Sequence, residues 1–347
     1  MKTYSRKYCV LCDTDLCSFS SFLHPIYDCV EDTQDTWNIE YGYCTHCFSI
    51  QLMTLADPLV LYDKNYFQPL HQTHLWIQHN LSFLAFMVKH CPPQPILEIG
   101  SSSFCLGKHL IHYYKDYTVF DYTIEQAIQR PDVKYIEGNC EEYNFTHDCI
   151  VLSHVFEHLY EPKKFIQNCF RNKVKTIVLS IPSMEDKTQL HVGNQHTFLY
   201  NSQDIVYLFG LHDYKVKDFL SWNSGDSSFP CLFYHFVLDG PQQVKQIIEP
   251  RHLYSMNFFK PIRVPKQTYL TTCSMFTVLL YPWIENKEDI IGVVDVNPKK
   301  QCKKFSYTSL IVQPYEVLDQ PGNTALVNHP KRKNIMSMIK HATILER

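Results

Sequence analysis

The chain has 347 residues, a formal net charge of -3, and 45% hydrophobic residues. This length allows about two or three domains, and the hydrophobic content is sufficient for packed cores, which excludes a disordered protein. A nearly balanced charge argues against a nucleic-acid partner, because phosphates require a basic surface. The first residues lack the apolar stretch of a signal peptide, and no window resembles a membrane span. We therefore expect a cytoplasmic protein without a membrane partner.

Four of the fourteen cysteines form two C-x2-C pairs near the N-terminus, Cys9 with Cys12 and Cys44 with Cys47. Each pair can place two thiolates on one tight turn, and two such turns complete a tetrahedral shell of four sulfurs. This pattern predicts a structural zinc ion, since a shell of four cysteines leaves no open position for chemistry. The alternatives are four reduced core cysteines, or replacement of one ligand by Cys17, Cys29, His24 or His46. The ten scattered cysteines are expected to be buried as small apolar residues.

The next segment predicts a helix followed by a domain boundary. Residues 71–90 carry apolar side chains at helical spacing, and the following CPPQP interrupts the helix. We interpret residues 61–92 as a helical connector and place the start of a new domain at about residue 93.

A nucleotide-binding pattern begins there. The sequence PILEIGSSS contains an apolar run with Glu98, followed by a turn of small residues at Gly100, Ser101 and Ser102. A second predicted strand ends at Asp121, about 20 residues after the glycine, where an acidic side chain could bind ribose hydroxyls.

Two further apolar runs continue the alternation of strands and helices. The third predicted strand is followed by Asn139 and Cys140, and the fourth ends at Ser153 and His154. This alternation predicts a parallel sheet whose ligand lies across the carboxyl ends of its strands.

The fourth strand runs into the sequence SHVFEHL, in which His154, Glu157 and His158 form H-x-x-E-H. In a zinc protease this motif lies within a helix, so that both histidines share a face. Here it directly follows a buried strand, and Pro162 leaves room for only a short helix. The protease remains an alternative interpretation.

The combination of E-I-G-S, the strand-terminal Asp121 and H-V-x-E-H resembles the class I S-adenosylmethionine-dependent methyltransferases. The chain is most similar to the sugar C-methyltransferase family, which places a zinc module before the methyltransferase core. CTHCFSIQL at 44–52 matches the second cysteine pair of that family, LYDKNYFQP resembles its aromatic lead-in, and IIGVVDVNPKKQ at 290–301 resembles a turn in its C-terminal domain.

This resemblance implies an α/β protein with a Rossmann-like methyltransferase core. The implied domains are a zinc-binding module at 1–60, the connector at 61–92, the methyltransferase domain at 93–240, and a smaller C-terminal α/β domain at 241–347.

The resemblance also implies which residues bind S-adenosylmethionine. Glu98 and the turn from Gly100 to Ser102 would face the amino acid part of the donor, and Asp121 its ribose. The remaining expected donor contacts are Tyr122, Asn139, Cys140, Ser153 and His154.

For catalysis, His196 matches the active-site histidine of the family and is the candidate general base, because an imidazole titrates near neutrality. The family usually has Y-H-E-H where this chain has Gly193 to His196, so Gln195 replaces a glutamate. A glutamine can orient an acceptor but cannot accept its proton. His154 is a further candidate.

The expected activity is methyl transfer to a small molecule, a nucleotide-linked deoxysugar. The missing carboxylate leaves oxygen or nitrogen open as the methylated atom. A protein that keeps the fold but binds a sugar or the donor without catalysis is the alternative of a different class.

Overall fold

The computed structural model describes residues 3–25, 36–62, 74–101, 104–124, 129–183, 196–223, 230–241, 260–274, 277, 280–305, 308–327 and 332–346. Ser102 and Gln195 of the predicted site lie outside these ranges. The chain divides into two compact units. The first comprises 1–17, 42–187 and 195–250, and the second comprises 18–41, 188–194 and 251–347. The domain limits expected from the sequence remain predictions.

In chain order the strands are β1 (Thr3–Ser5), β2 (Leu16–Pro25), β3 (Thr36–Cys44), β4 (Ile50–Leu52), β5 (Thr54–Ala56), β6 (Ile96–Ile99), β7 (Tyr117–Asp121), β8 (Lys134–Glu137), β9 (Cys149–Ser153), β10 (Thr176–Pro182), β11 (Phe198–Leu199), β12 (Tyr214–Trp222), β13 (Cys231–Leu238), β14 (Thr268–Thr271), β15 (Ile290–Val294), β16 (Val312–Gln313), β17 (Thr324–Val327) and β18 (Thr343–Glu346). The α-helices are α1 (Pro58–Leu61), α2 (His74–His90), α3 (Gly107–Leu110), α4 (Pro162–Arg171), α5 (Ser202–Gly210) and α6 (Arg332–Met338).

The main sheet of the first unit has seven strands in the order β12-β13-β10-β9-β6-β7-β8. The five strands from β10 to β8 are parallel, whereas β13 runs antiparallel to both β10 and β12. Numbered along the chain, the parallel strands have the doubly wound order 3-2-1-4-5. The predicted Rossmann-like core is therefore confirmed, and its switch point lies where β6 and β9 end.

The central strands β6, β9 and β10 are almost entirely buried and mostly apolar, because both faces of the sheet are covered there. Ile150 and Leu152 of β9 pack in one core, and Cys149 and Val151 in the other. Each such side chain contributes roughly 1.5–3 kcal/mol by burial.

Helix α2 confirms the helix expected within residues 71–90, as far as that range is described. Phe83 and Met87 are fully buried and pack with Val178 and Phe233 of the sheet. The buried face also carries two polar residues, His79 and Asn80. An apolar periodicity does not explain them, and both contribute to the site described below.

The short strands of the first unit form two smaller pairings. β1 pairs with β5, and β4 pairs with β11, both antiparallel. The second pairing joins the segment after Cys47 to the segment after His196, so the cysteine-rich region and the predicted base belong to one structural neighbourhood.

The second unit contains a five-stranded sheet in the order β16-β15-β14-β17-β18, and all of its neighbouring strands are parallel. Numbered along the chain, its strands again have the order 3-2-1-4-5. In the described part of the chain, no helix is long and apolar enough to cross a membrane.

Candidate functional site

The turn after β6 is built around a glycine that no other residue could replace without strain. Gly100 has φ +72, and a Cβ atom at this position would lie 2.3 Å from Cγ2 of Val155. Its amide donates to the carbonyl of Phe120 at 2.8 Å, which anchors the turn to β7. Ser101 is buried, and its carbonyl accepts from the amide of Phe104 at 2.9 Å. The turn is thus fixed in a left-handed conformation at the switch point, with Val155 packed where a side chain would lie.

Glu98 is buried in β6 and accepts a hydrogen bond from the hydroxyl of Tyr117. Burial, and secondly the negative charge of Asp121, raise the pKa of Glu98 from 4.5 to about 8. The carboxyl is therefore neutral at neutral pH in the protein alone. A cationic group bound nearby would lower this pKa again, because it favours the ionised form.

The ends of β7 and β8 bring three predicted donor contacts together. Oδ1 of Asp121 accepts from the amide of Tyr122 at 2.8 Å, and the Tyr122 hydroxyl donates to Oδ1 of Asn139 at 3.3 Å. The ring of Tyr62 stacks on that of Tyr122 with centroids 5.7 Å apart. Tyr62 was not predicted, since it lies in an aromatic segment far away in sequence and no spacing connects it to β7.

Cys140 occupies a different environment from its neighbour Asn139. Its side chain is only 4% exposed and packs in the hydrophobic core, and burial raises the pKa of its thiol. The side chain thus behaves as a small apolar residue, and the main chain is the part that a ligand could contact at this position.

The SHVFEHL segment forms the end of β9 and a single 3-10 turn, Phe156–His158. This agrees with the prediction that Pro162 leaves room for only a short helix. His154 has φ +55, and its amide donates to the carbonyl of Ser180 at 2.8 Å. Since His154 precedes the turn, it does not share a helical face with His158. The geometry of a zinc-protease helix is absent from this segment.

Glu157 lies between the histidines of this segment. Its Oε1 is 3.2 Å from Nδ1 of His154 and 3.9 Å from Nε2 of His158. The imidazole of His196 packs edge-on against His158 with centroids 4.9 Å apart, and Glu157, His158 and His196 have ligand atoms within 4.8 Å of one another. Burial raises the pKa of Glu157, and the two nearby imidazoles, His158 first, oppose this shift. The predicted base is thus close to a buried carboxyl group that was not predicted as part of the site.

Arg6 holds the main chain on both sides of this cluster. Its guanidinium donates to the carbonyls of Thr197 and Tyr160, each at 2.6 Å. Burial lowers the pKa of Arg6 to about 10, so the group stays charged at neutral pH. A single arginine in the N-terminal segment carries no sequence signal for this role.

Two further residues reach His154 from remote segments. His79 of α2 places Nε2 at 3.2 Å from Nε2 of His154, and Sγ of Cys231 lies 3.7 Å from the same atom. Cys231 is the first residue of β13, which is antiparallel and therefore begins at the edge where the parallel strands end. The sequence interpretation had assigned His79 to a connector helix and Cys231 to the scattered core cysteines.

The four N-terminal cysteines converge on one centre. Cys9 and Cys47 have sulfurs 3.5 Å apart, those of Cys12 and Cys44 are 3.4 Å apart, and all four lie within 4.8 Å of one another. Tetrahedral zinc with bonds of about 2.3 Å would place sulfurs about 3.8 Å apart. The set therefore fits a closed four-sulfur metal site.

Backbone and side-chain donors surround these sulfurs, as a thiolate shell requires. The amide of Leu11 donates to Cys9 Sγ at 3.3 Å, and that of His46 donates to Cys44 Sγ at 3.4 Å. The side-chain amide of Gln51 adds a donor 3.0 Å from Cys9 Sγ.

Comparison with known proteins identifies the central part of the first unit. Residues 97–173 match a family model described as a methyltransferase domain. Among curated proteins, none matches the sequence.

Solved structures of methyltransferases are similar to about half of the chain. Magnesium protoporphyrin IX methyltransferase from Synechocystis, with bound SAH, has 12% identity and a TM-score of 0.38, covering 47% of this chain and 83% of its own. The N-methyltransferase NodS from Bradyrhizobium japonicum, in complex with S-adenosyl-L-homocysteine, has 14% identity and a TM-score of 0.41, covering 49% and 91%. A S-adenosylmethionine-dependent methyltransferase from Clostridium acetobutylicum has 11% identity and a TM-score of 0.40, covering 51% and 99%. Similarities of this level do not indicate the substrate of this chain.

The matched residues contain β7, β8, β9 and all of β6 except its first residue, and Gly100, Asp121, Asn139 and His154 lie at the carboxyl ends of these strands. The family match and the doubly wound sheet agree on the same segment. Within this segment, residues 97–173, the chain contains a methyltransferase domain.

Proposed function

We propose that the protein transfers the methyl group of S-adenosylmethionine to a small acceptor at the carboxyl edge of the main sheet. The observation that supports the proposal is the arrangement of residues at this edge. There Gly100 forms a left-handed turn at the switch point, and Asp121 ends the neighbouring strand where an acidic side chain could bind ribose hydroxyls.

The residues of this edge fit such a donor. Glu98 and the Gly100 turn would hold its amino acid part, Asp121 and Tyr122 its ribose, and Asn139 with the main chain of Cys140 its adenine. Bound S-adenosylmethionine supplies an electrophilic methyl group. The protein must then align the acceptor with it and remove one proton.

His196 is the proposed general base. Its support is the match to the active-site histidine of the resembling family, together with its contact to His158 and the nearby Glu157. A buried carboxyl group near an imidazole favours the protonated ring that forms during proton transfer. Gln195 would orient the acceptor, and Ser153 and His154 would form the rim of the site.

A sugar, linked to a nucleotide, is the proposed acceptor class. It rests on the resemblance of the cysteine pairs, the aromatic lead-in and the D-V-N-P-K-K-Q turn to the sugar C-methyltransferases. The replacement of the family's glutamate by Gln195 makes an oxygen or nitrogen acceptor the second candidate, because such atoms need less help to lose a proton than carbon does.

We also propose that Cys9, Cys12, Cys44 and Cys47 bind a structural zinc ion. Their sulfur separations and their hydrogen-bond donors support this assignment. Four protein ligands leave no position for a substrate, so this ion would stabilise the N-terminal segment and take no part in methyl transfer.

Donor binding tests the main proposal. We expect S-adenosylhomocysteine to bind the purified chain in titration calorimetry, and Asp121→Ala to weaken binding by about tenfold or more, which is about 1.4 kcal/mol. Asp116→Ala is the matched control, because Asp116 lies just before β7 and pairs with Lys134 on the surface. Absence of binding to the unmodified chain would refute the proposal.

Methyl transfer separates an enzyme from a protein that only binds. The unmodified chain and His196→Gln are incubated with donor labelled on its methyl group and with a panel of nucleotide sugars. We expect label transfer by the unmodified chain, and a loss of about 100-fold or more in His196→Gln with donor affinity retained. Donor binding without transfer to any acceptor would favour the non-catalytic alternative.

A further inference from the structure

Three potential metal ligands meet beside the proposed active site. They come from separate elements: His79 from α2, His154 from the end of β9, and Cys231 from the start of β13. Their ligand atoms all lie within 4.8 Å of one another. This cluster is separate from the four N-terminal cysteines and shares no residue with them.

Hydrogen bonds at Nδ1 orient the imidazoles of His79 and His154 so that their Nε2 atoms face each other. Nδ1 of His79 is 3.1 Å from Oδ1 of Asn80, and Nδ1 of His154 is 3.2 Å from Oε1 of Glu157. An oxygen acceptor beside each Nδ1 favours the tautomer with its proton on Nδ1, in which Nε2 is available to a metal ion. The two Nε2 atoms are 3.2 Å apart.

With a proton on one Nε2 the two nitrogens share a hydrogen bond, and with a proton on neither they can bind one cation together. The hydroxyl oxygen of Ser180 lies 2.8 Å from Nε2 of His79. Because Sγ of Cys231 is also 3.7 Å from Nε2 of His154, the group contains two nitrogens and one sulfur suited to a borderline divalent metal.

The two separations that involve Nε2 of His154 agree with tetrahedral coordination. Zinc bonds of about 2.0–2.1 Å to nitrogen and about 2.3 Å to sulfur give separations of about 3.3 Å between two nitrogens and about 3.6 Å between nitrogen and sulfur. The observed values are 3.2 Å and 3.7 Å. Small movements of side chains would therefore be enough to seat an ion.

The charges near the cluster also balance with a zinc ion. A divalent ion with one thiolate and two neutral imidazoles carries one net positive charge. Glu157, which contacts Nδ1 of His154, is only 3% exposed, and its Oε2 has no hydrogen-bond partner among the described residues. Its carboxylate would offset that charge in the arrangement by which a carboxylate orients a metal-binding histidine.

Aromatic side chains hold the two rings in place. Trp76 packs edge-on against both imidazoles, with centroids 5.4 Å from His79 and 4.9 Å from His154. Trp222 and Phe233 each pack edge-on against His79 at 5.4 Å. An apolar surround of this kind limits the access of water and strengthens electrostatic interactions within it.

We propose that His79, His154 and Cys231 bind a second zinc ion, with a fourth coordination position left for water or a substrate atom. Three protein ligands and an open position distinguish this site from a closed structural one.

The role of this ion rests on the proposed function. A hydroxyl or amine of the acceptor bound at the open position would lose its proton more readily, and the proton would pass to His196. The freed lone pair then forms the bond to the methyl carbon while the bond from carbon to sulfur breaks, which releases S-adenosylhomocysteine. Such activation would replace the carboxylate that is lost where Gln195 stands.

The metal is tested first on the unmodified full chain. We expect about two zinc ions per chain by mass spectrometry of metals, and X-ray absorption at the zinc edge showing nitrogen as well as sulfur ligands. If the N-terminal site is empty, one zinc with a mixed shell still supports the proposal. Zinc bound through sulfur alone, or no bound zinc, overturns it without the use of any variant.

Variants then assign the ligands. Cys231→Ala and His79→Gln are each expected to lose about one zinc per chain and the signal of nitrogen ligands. Cys44→Ser is expected to lose the zinc of the four-cysteine site and to keep the nitrogen signal. The matched controls are Cys149→Ala, a buried cysteine on β9, and His235→Gln, a buried histidine on β13. Zinc content that Cys231→Ala and His79→Gln leave unchanged contradicts the assignment.

Donor binding separates this inference from the proposed function. We expect Cys231→Ala to bind S-adenosylhomocysteine with affinity within about threefold of the unmodified chain, while methyl transfer falls by about 100-fold or more. Full transfer by a Cys231→Ala chain that has lost its zinc overturns the catalytic role. Bound zinc in a chain that does not bind the donor contradicts the proposed function and leaves the metal site supported.

Discussion

At the scale of single residues, the candidate donor site depends on two positions in and beside β6. Gly100 adopts a left-handed conformation in contact with Val155, and Glu98 is a buried carboxyl group beside Tyr117. The sequence alone identified both, because an acidic residue before a glycine turn is a local pattern. It could not show that Val155 closes over the glycine, since that contact joins two strands that are distant in sequence.

Gly100→Ala is expected to destabilise the protein more than the same change at a glycine with similar torsion. A left-handed alanine costs about 1–2 kcal/mol, and the contact with Val155 adds about 1–3 kcal/mol. Gly240→Ala is the matched control, because Gly240 has φ +75 and no atom within 4 Å of the added Cβ. The free energy of unfolding, measured with urea, checks the difference. Equal losses at the two positions would contradict the packing at Gly100.

Glu98 predicts a dependence of stability on pH. Its pKa is raised from 4.5 to about 8, so between these values the folded chain keeps a proton that the unfolded chain has released. Stability from this group is therefore lost as pH rises through that window. We expect Glu98→Gln to reduce the loss between about pH 5 and about pH 8 by on the order of 3 kcal/mol at most.

Urea denaturation at the two pH values measures this effect. Glu142→Gln is the matched control, because Glu142 is exposed and its pairing with Lys164 lies at the surface. A pH dependence that is the same in Glu98→Gln as in the unmodified chain would show that Glu98 is not the group responsible.

At the scale of elements, the two cysteine turns repeat one local design. The residue after each pair has a left-handed backbone, Asp13 with φ 60 and Phe48 with φ 59. In both turns that residue's amide donates to the carbonyl of the first cysteine of its pair, at 2.9 Å. The C-x2-C spacing was sufficient to predict these turns because they are local.

Removal of the metal should destabilise the N-terminal segment. We expect Cys44→Ser, or treatment with a strong chelator, to lower the thermal midpoint and to increase proteolysis in residues 3–17, since binding energy of a structural zinc is also folding energy. Cys17→Ser serves as the control, because Cys17 is exposed and lies in the same segment. A chelator that leaves both measurements unchanged would argue for four reduced cysteines.

Contacts between remote elements were the part that sequence patterns could not supply. The apolar runs predicted β6 to β9, and the proline-rich break predicted the end of α2. The antiparallel entry of β13 carries no such signal, because an apolar strand reads the same in either direction. The antiparallel direction of β13 brings Cys231 to the edge of the sheet. The cluster of Cys231 with His79 and His154 could therefore be identified only from the three-dimensional structure.

At the scale of the whole molecule, the described part of the chain contains two sheets whose parallel strands have the same order, and each has an acidic residue at or just after its second parallel strand along the chain. In the first these are β7 and Asp121, and in the second β15 and Asp295. The carboxyl oxygens of Asp295 accept from the main-chain amides of Cys273 at 3.0 Å and Asn297 at 2.8 Å.

Lys300 and Gln301 of the D-V-N-P-K-K-Q turn also form hydrogen bonds at the ends of strands in the second sheet. Nζ of Lys300 donates to the carbonyl of Cys273 at 2.7 Å, and the side-chain amide of Gln301 donates to the carbonyl of Asp295 at 2.9 Å. The D-V-N-P-K-K-Q turn thus ties the ends of β14 and β15 together. The residues after β14, Thr272 to Ser274, contain no glycine for a left-handed turn like the one at Gly100. Strand order alone does not indicate which sheet binds the methyl donor, but these differences favour the first sheet.

Hydrogen exchange with and without S-adenosylhomocysteine tests this choice in the intact chain. A bound ligand slows exchange where it contacts or stabilises the backbone, and we expect protection at the ends of β6, β7 and β9, within residues 99–101, 121–123 and 153–155. Residues 271–274 and 295–297 of the second sheet act as an internal control and should exchange at an unchanged rate. Protection of the second set without the first would place the donor on the other sheet, and Asp121 would then have no role in its binding.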